Sequence, residues 1–531
     1  MKNTSLFSML FLSILSISLS SCIKDLDLQP PAGLNSESVY ENPDNYIHVL
    51  AKLYSGLALT GNQGPAGNPD ISGIDEGFSG YVRVLWNMQE LCTDEAKCAW
   101  NDPGIPELNK MTWSSTNSFV TAMYYRIYFQ IPLCNEFISQ SSDENMTNRG
   151  FDDATKQKIN NYVAEARFLR ALSYYHAMDL FGNVPFVTEE DGIGAYTPEQ
   201  ISRADLFNYI ESELLAIEPL LPEPMANEYA RADKATVWTL LAKMYLNAEV
   251  YTGTQRYVES ANYCSKIIAA GYSLEPDYEH LFLADNNLSP EIIFPVPFDG
   301  RFTQTYGGTT FLTHASIAGT GPMSDIDSSY FGVEFGWGGN RATPQFAAKF
   351  PDTDDGRYLF FTDRQTLDFT EDSQLGDFTV GWPVAKWRNI TSTGAAGSDA
   401  NGDFVDIDFP MFRLADVYLM YAECAARGFA DAGLGLNYVN QLRERAYGDA
   451  SHNVGSITPE LVLDERAREL YWEGYRRTDL IRFGLFTGGT YLWAFKGESF
   501  SGASVPDYLK LFPLPSSDIV ANPNLVQNPG Y

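Results

Sequence analysis

The stretch RLADVYLMYAECA, residues 413–425, decides how the chain is read. Leu414, Val417, Tyr418, Tyr421, Ala422 and Ala425 follow one another at intervals of three, one, three, one and three. That rhythm puts every apolar side chain on one stripe of an α-helix, with alanines where a second helix can come close. The same intervals recur at Val237, Leu240, Leu241, Met244, Tyr245 and Ala248. Each stripe is followed, after a turn, by another amphipathic run. The first follower carries Val258, Ala261, Cys264 and Ile268, and the second carries Leu436, Val439, Leu442 and Ala446.

Two such helix-turn-helix units look like degenerate tetratricopeptide repeats and predict a mainly α fold. The spacing predicts further helices. Asn161 to Phe181 carries Ala164, Phe168, Leu172 and Tyr175 on one face and stops at Gly182. Ile201 to Leu221 lies between Pro198 and Pro222. Asp464 to Phe483 reads as one helix, with Gly474 on its apolar stripe between Tyr471 and Tyr475 as a point of close helix approach. Two regions read as long loops with a few short strands: 55–110, rich in Gly, Pro, Asn and Asp, and 291–400, which mixes runs such as Glu291-Ile292-Ile293-Phe294 with glycine-rich aromatic segments. The expected organisation is one domain over 22–531, its helical scaffold mainly in 111–290 and 410–486 and its binding loops in 55–110 and 291–400.

The first residues are read separately. Lys2, an apolar stretch from Leu6 to Leu19, and Leu19-Ser20-Ser21-Cys22 form an export signal of the bacterial lipoprotein kind over 1–21. Cys22 would then be the first mature residue and carry the lipid, with Ile23 to Asp27 as a polar tether. The 531-residue chain has 68 acidic and 36 basic residues, a formal net charge of −32. Such a surface repels phosphate backbones and anionic headgroups, which excludes nucleic acid and general membrane-surface binding as leading functions. Five cysteines remain after Cys22. Cys134, Cys264 and Cys424 lie in helical apolar patterns as small buried hydrophobes, while Cys92 and Cys98 either close a local bridge or stay thiols.

Diagnostic catalytic motifs are missing. The sequence has no P-loop, no G-x-S-x-G elbow and no zincin spacing among His48, His176, His280, His314 and His452, and no cofactor or metal is expected. Asp352 to Gly356 is one residue short of a calcium-loop spacing and reads as an acidic turn. Aromatic residues beside polar ones are more telling. A planar ring stacks on the apolar face of a sugar while Asp, Asn and Arg bind the rim hydroxyls. Trp100-Asn101-Asp102, with Arg83 and Asp94 upstream, supplies one such set; Tyr306, Tyr330, Trp337 and Arg341 supply another. Trp100, followed by Asn101, Asp102, Pro103 and Gly104, is expected to be presented by a loop rather than buried.

Several segments in order resemble the SusD/RagB family of Bacteroidetes outer-membrane lipoproteins. They are Ala164 to Ala171 running into Asp179-Leu180-Phe181-Gly182-Asn183-Val184-Pro185, Arg231 to Ala235, Arg413 to Glu423, Glu465 through Arg482, and the tail Pro513-Leu514-Pro515 with Asn522 to Tyr531. The resemblance implies a helical, tetratricopeptide-like fold, a lipid anchor in the outer membrane facing outward, and a complex with a SusC-like TonB-dependent transporter. It implies a non-catalytic surface protein that captures glycans and delivers them to that channel. The stretch Tyr81 to Ile105 is similar to the starch-binding branch, where a tryptophan at the position of Trp100 belongs to an aromatic arc. Glu165, Arg167, Asp479 and Arg482 read as interhelical ion pairs rather than ligand contacts. A surface glycoside hydrolase and a peptide-capturing relative remain the alternatives.

Overall fold

Helices begin where a short polar side chain receives the free N–H groups of the first turn. Asn117, Asp152, Ser202, Asp233 and Asp431 all do so here. The computed structural model describes residues 36–65, 67–191, 197–317 and 328–531, so Cys22 and the export segment lie outside the described residues. The main helices are α1 (Asn45–Ala58), α2 (Tyr81–Glu90), α3 (Ser118–Gln140), α4 (Asp153–Phe181), α5 (Arg203–Ile217), α6 (Lys234–Leu246), α7 (Tyr257–Ile268), α8 (Gly308–Ala315), α9 (Leu414–Ala426), α10 (Ala432–Tyr447), α11 (Pro459–Leu470) and α12 (Arg476–Arg482). No helix among the described residues is long and apolar enough to cross a membrane.

The mainly α fold with paired helices is as expected. α3 packs on α4, α4 on α5, α6 on α7 and α9 on α10. α7 also lies along α9, so the two pairs with the shared rhythm stack directly on each other. Small residues make the approach close: the Ser260 hydroxyl of α7 donates to the Ala242 carbonyl of α6 at 2.9 Å. Glu165 pairs with Arg231, Arg167 with Glu213, and Arg482 with both Glu423 and Asp479, so these four residues tie elements of the scaffold together. Antiparallel pairing of Ile292–Val296 with Phe409–Arg413 joins the loop half of the chain to the start of α9. A shorter pair, Lys97–Cys98 with Asn340–Arg341, brings the two loop regions together.

Two expectations need correction, and one open reading is decided. Region 55–110 is not all loop, because α2 lies inside it and is buried along its whole length, Arg83, Asn87, Gln89 and Glu90 included. The helix read over 464–483 is broken: α11 ends at Leu470, and Trp472 and Gly474 take left-handed backbone, φ 61° and 83°, before α12 begins. The break is held from outside. Glu95 accepts the Trp472 amide at 3.1 Å and Glu90 accepts the Gly474 amide at 2.7 Å. Lastly, Cys92 and Cys98 are both free and buried, as are Cys134, Cys264 and Cys424.

A cage of charges runs through the core. Arg413, fully buried, bonds to Glu291, Glu469 and Glu473, while Arg357 bonds to Asp355, Glu465 and Glu469. Ions this far from water persist only when each is paired and hydrogen-bonded. Asp355, from the acidic turn, is thereby committed to Arg357.

Candidate functional site

The short strand pair fixes the site's two walls. Beyond Cys98, the Ala99 amide donates to the Gly339 carbonyl at 2.9 Å, and the next residue, Trp100, donates its indole N–H to the Trp337 carbonyl at 3.1 Å. Trp337 stacks on His314 at 4.6 Å and 19°. Burial lowers the pKa of His314, so the imidazole is a neutral ring at physiological pH. Trp100 lies 6.4 Å from Trp337 and edge-on to Phe311 at 5.8 Å; Tyr306 continues the row 6.3 Å from Trp337 and 5.5 Å from Phe404. Trp100, Trp337 and Tyr306, from segments far apart in sequence, thus form one aromatic arc.

The arc borders an open cleft of about 540 Å³ lined by Trp100, Trp337, Phe78, Arg83, Asp75 and Asp102 among others. Arg83 forms its floor. The guanidinium lies 4.4 Å from the Phe311 ring and 5.5 Å from Trp100, and donates to the Tyr306 carbonyl at 3.0 Å. Burial lowers its pKa to about 10, which leaves it cationic at neutral pH. Arg83 therefore both holds the Tyr306 loop and supplies positive charge under the cleft. Asn101 and Asp102 are exposed at the rim, and Tyr306 is 37% exposed. Trp100 is half-buried rather than freely presented, because its indole packs against Gly339 and Phe311.

Two expected ligand residues do not reach the cleft. Asp94 is completely buried; it takes both bonds of the Arg476 guanidinium at 2.7 Å and a third from Tyr491. Burial opposes ionisation of Asp94, but Arg476 outweighs it and keeps the carboxyl below the usual range. Arg341 is also completely buried, and its guanidinium donates to the carbonyls of Val380, Gln374 and Leu375. Both residues are staples of the scaffold. Tyr330 sits beneath the Arg388 guanidinium at 4.7 Å and against Phe331 rather than in the arc. Sequence reasoning missed Asp75, Phe78, His314 and Phe404. Phe78 and Asp75 lie in a Gly-Asp-rich segment that signalled a loop, but nothing local marked them as lining residues.

The site offers stacking faces with polar groups at floor and rim. Ser118, the cleft's hydroxyl, donates to the Pro103 carbonyl at 2.6 Å and is not set up as a nucleophile.

The SusD family model matches residues 290–531, and a model described as "Starch-binding associating with outer membrane" matches 86–246. The starch-binding protein SusD of Bacteroides thetaiotaomicron is 36% identical over an alignment covering 99% of this chain and 98% of that protein. SusD-like protein P2 of Formosa agariphila is 28% identical over 80% of this chain and 83% of its own. Among solved structures, surface glycan-binding protein A from Bacteroides fluxus superposes with a TM-score of 0.69 at 21% identity, covering 92% of this chain and all of that one. Surface glycan-binding protein A from B. thetaiotaomicron in complex with laminarihexaose gives 0.66 at 19% identity, over 91% and 99%. At these identities the structural matches speak to the fold alone.

Proposed function

The chain belongs to the SusD family, and on that premise we propose that it is a non-catalytic, surface-exposed glycan-binding lipoprotein whose ligand is a starch-class glucan. The observation that carries this reading is the arc of Trp100, Trp337 and Tyr306 over a charged floor, since stacked rings with a polar rim suit the two faces of a sugar. The 36% identity to a starch-binding relative supports the choice of glucan. The Leu19-Ser20-Ser21-Cys22 segment supports acylation at Cys22 and a place on the outer membrane facing outward. From there the protein would pass captured oligosaccharides to a SusC-like TonB-dependent transporter. The test is affinity electrophoresis of soluble protein starting at residue 23. Native gels containing starch should retard the wild type, gels containing laminarin should retard it less, and Trp337→Ala should migrate as in an empty gel. Free migration of the wild type in starch overturns the assignment, and shorter products after incubation with starch would mark a hydrolase.

A further inference from the structure

We propose that the aromatic cleft is one end of a longer glycan track, with a second subsite in the groove between α1 and the loop carrying Tyr229. This deepens the glycan-binding reading and rests on it. The groove holds about 340 Å³; Leu50, Tyr54 and Ala58 of α1 form its floor, with Tyr229 on one wall and Pro297 and Thr303 on the other. Its chemistry repeats that of the cleft. An apolar floor and an aromatic ring are edged by charged and hydroxyl groups, here Glu228, Arg231 and Thr303.

Groove and arc are bordered by neighbouring stretches of chain. Thr303 borders the groove and Tyr306 belongs to the arc, and three residues of chain span at most about 10 Å. On the other side, Leu59 borders the groove, and Thr60 follows it. A Cβ placed on Gly80 would meet the Gly307 Cα at 3.5 Å and the Thr60 methyl at 3.7 Å, so the segment after α1 and the Tyr306 loop both approach Gly80 at the start of α2. Phe302, next to Thr303 of the groove wall in the chain, is 80% exposed, an apolar ring kept in water. Arg301 lies over its ring at 5.5 Å.

Tyr229 is held for use. Its ring is 49% exposed while its hydroxyl donates to the Asp408 carboxylate, which fixes the ring plane and leaves a face free. The loop takes left-handed backbone on either side, at Met225 and Ala230, φ 60° and 63°, and the Asp233 carboxylate accepts the Met225 amide at 2.7 Å. Beyond Tyr229 a further depression of about 300 Å³, lined by Tyr272, Asn227 and Asn287, extends the same surface. A ring fixed in advance loses little freedom on stacking, which favours capture of ligand.

Calorimetry on the mature protein with maltotriose and with maltoheptaose tests the track. The wild type should bind maltoheptaose about tenfold more tightly than maltotriose, the gain of one added aromatic contact. Phe302→Ala and Tyr229→Ala should lose most of that ratio while keeping maltotriose affinity. Phe302 is so exposed that its truncation leaves the fold intact, and it decides the matter should Tyr229→Ala unfold. An unchanged ratio in Phe302→Ala overturns the track and leaves the cleft assignment standing. Absence of any oligosaccharide binding by the wild type overturns both.

Discussion

Trp100 does two jobs, and substitution should separate them. Stacking on ligand calls for an affinity loss of about 1–3 kcal/mol in Trp100→Ala. Its half-buried ring, bonded to the Trp337 carbonyl, also calls for about 2 kcal/mol of lost stability, less than a core tryptophan costs. Calorimetry paired with a thermal melt reads both, and full affinity in a destabilised variant would make Trp100 a packing residue. Gly474 gives a sharper contrast. A close helix contact there would make leucine far worse than alanine. The structure instead gives Gly474 a φ of 83° with nothing within 4 Å of a Cβ. Gly474→Ala and Gly474→Leu should each cost about 1–2 kcal/mol, the penalty of left-handed backbone, and should melt together. A leucine variant much weaker than the alanine one would restore the close-contact reading. Polar and glycine neighbours singled out Trp100 and Trp337, but the half-burial of Trp100 was not legible, because Phe311 and Gly339, which pack against it, lie in a distant region. Nor was the burial of Asp94, because the arginine that neutralises it lies 382 residues away.

At the scale of elements, α11 is held by ions rather than by an apolar stripe alone. Burial opposes ionisation of Glu465, but Arg357, Arg468 and Arg443 outweigh it and pull its pKa from 4.5 to about 2. Asp416 behaves alike under Lys243 and Arg466, falling from 3.8 to about 2. A folded pKa below the unfolded one stabilises the native state above the unfolded pKa, and that gain is lost as pH falls through the folded pKa. The stability these two carboxylates supply should therefore be level from pH 7 to about 5 and drop between pH 4.5 and 2, with roughly 3 kcal/mol from Glu465 alone. Urea unfolding at pH 7, 4 and 2.5 measures it; a flat profile would mean the cage does not hold. The paired helices were readable because each keeps one apolar stripe. α2 was not, since its ten residues follow a long Gly-, Asn- and Asp-rich stretch and its polar residues are buried instead of facing water. The break at 471–475 escaped notice because apolar spacing continues across it, while Glu90 and Glu95, which hold it open, come from the other end of the chain.

For the whole molecule, the proposed anchor and the binding face are separable. The described residues begin at 36, past the proposed lipid-attachment cysteine. Cys22→Ala should leave melting temperature and starch retention unchanged and release the protein into the soluble fraction of cells lacking the transporter. Continued pelleting with outer membranes would point to a second anchor. Five ordered segments told the family. The meeting of two distant loop regions at one cleft was beyond local reading, because a two-residue strand pair carries almost no pattern of its own.

That meeting also sets an order in time. The indole of Trp100 closes on a carbonyl 237 residues downstream, whereas the helix pairs are closed by connections of only about 5 to 21 residues. Closing a long span costs chain entropy before any contact rewards it, so distant pairings form after local ones. During refolding from urea, helical circular dichroism should return first and retention on starch should lag behind it. A newly made chain would pass through a stage in which it is already helical and not yet able to hold a sugar.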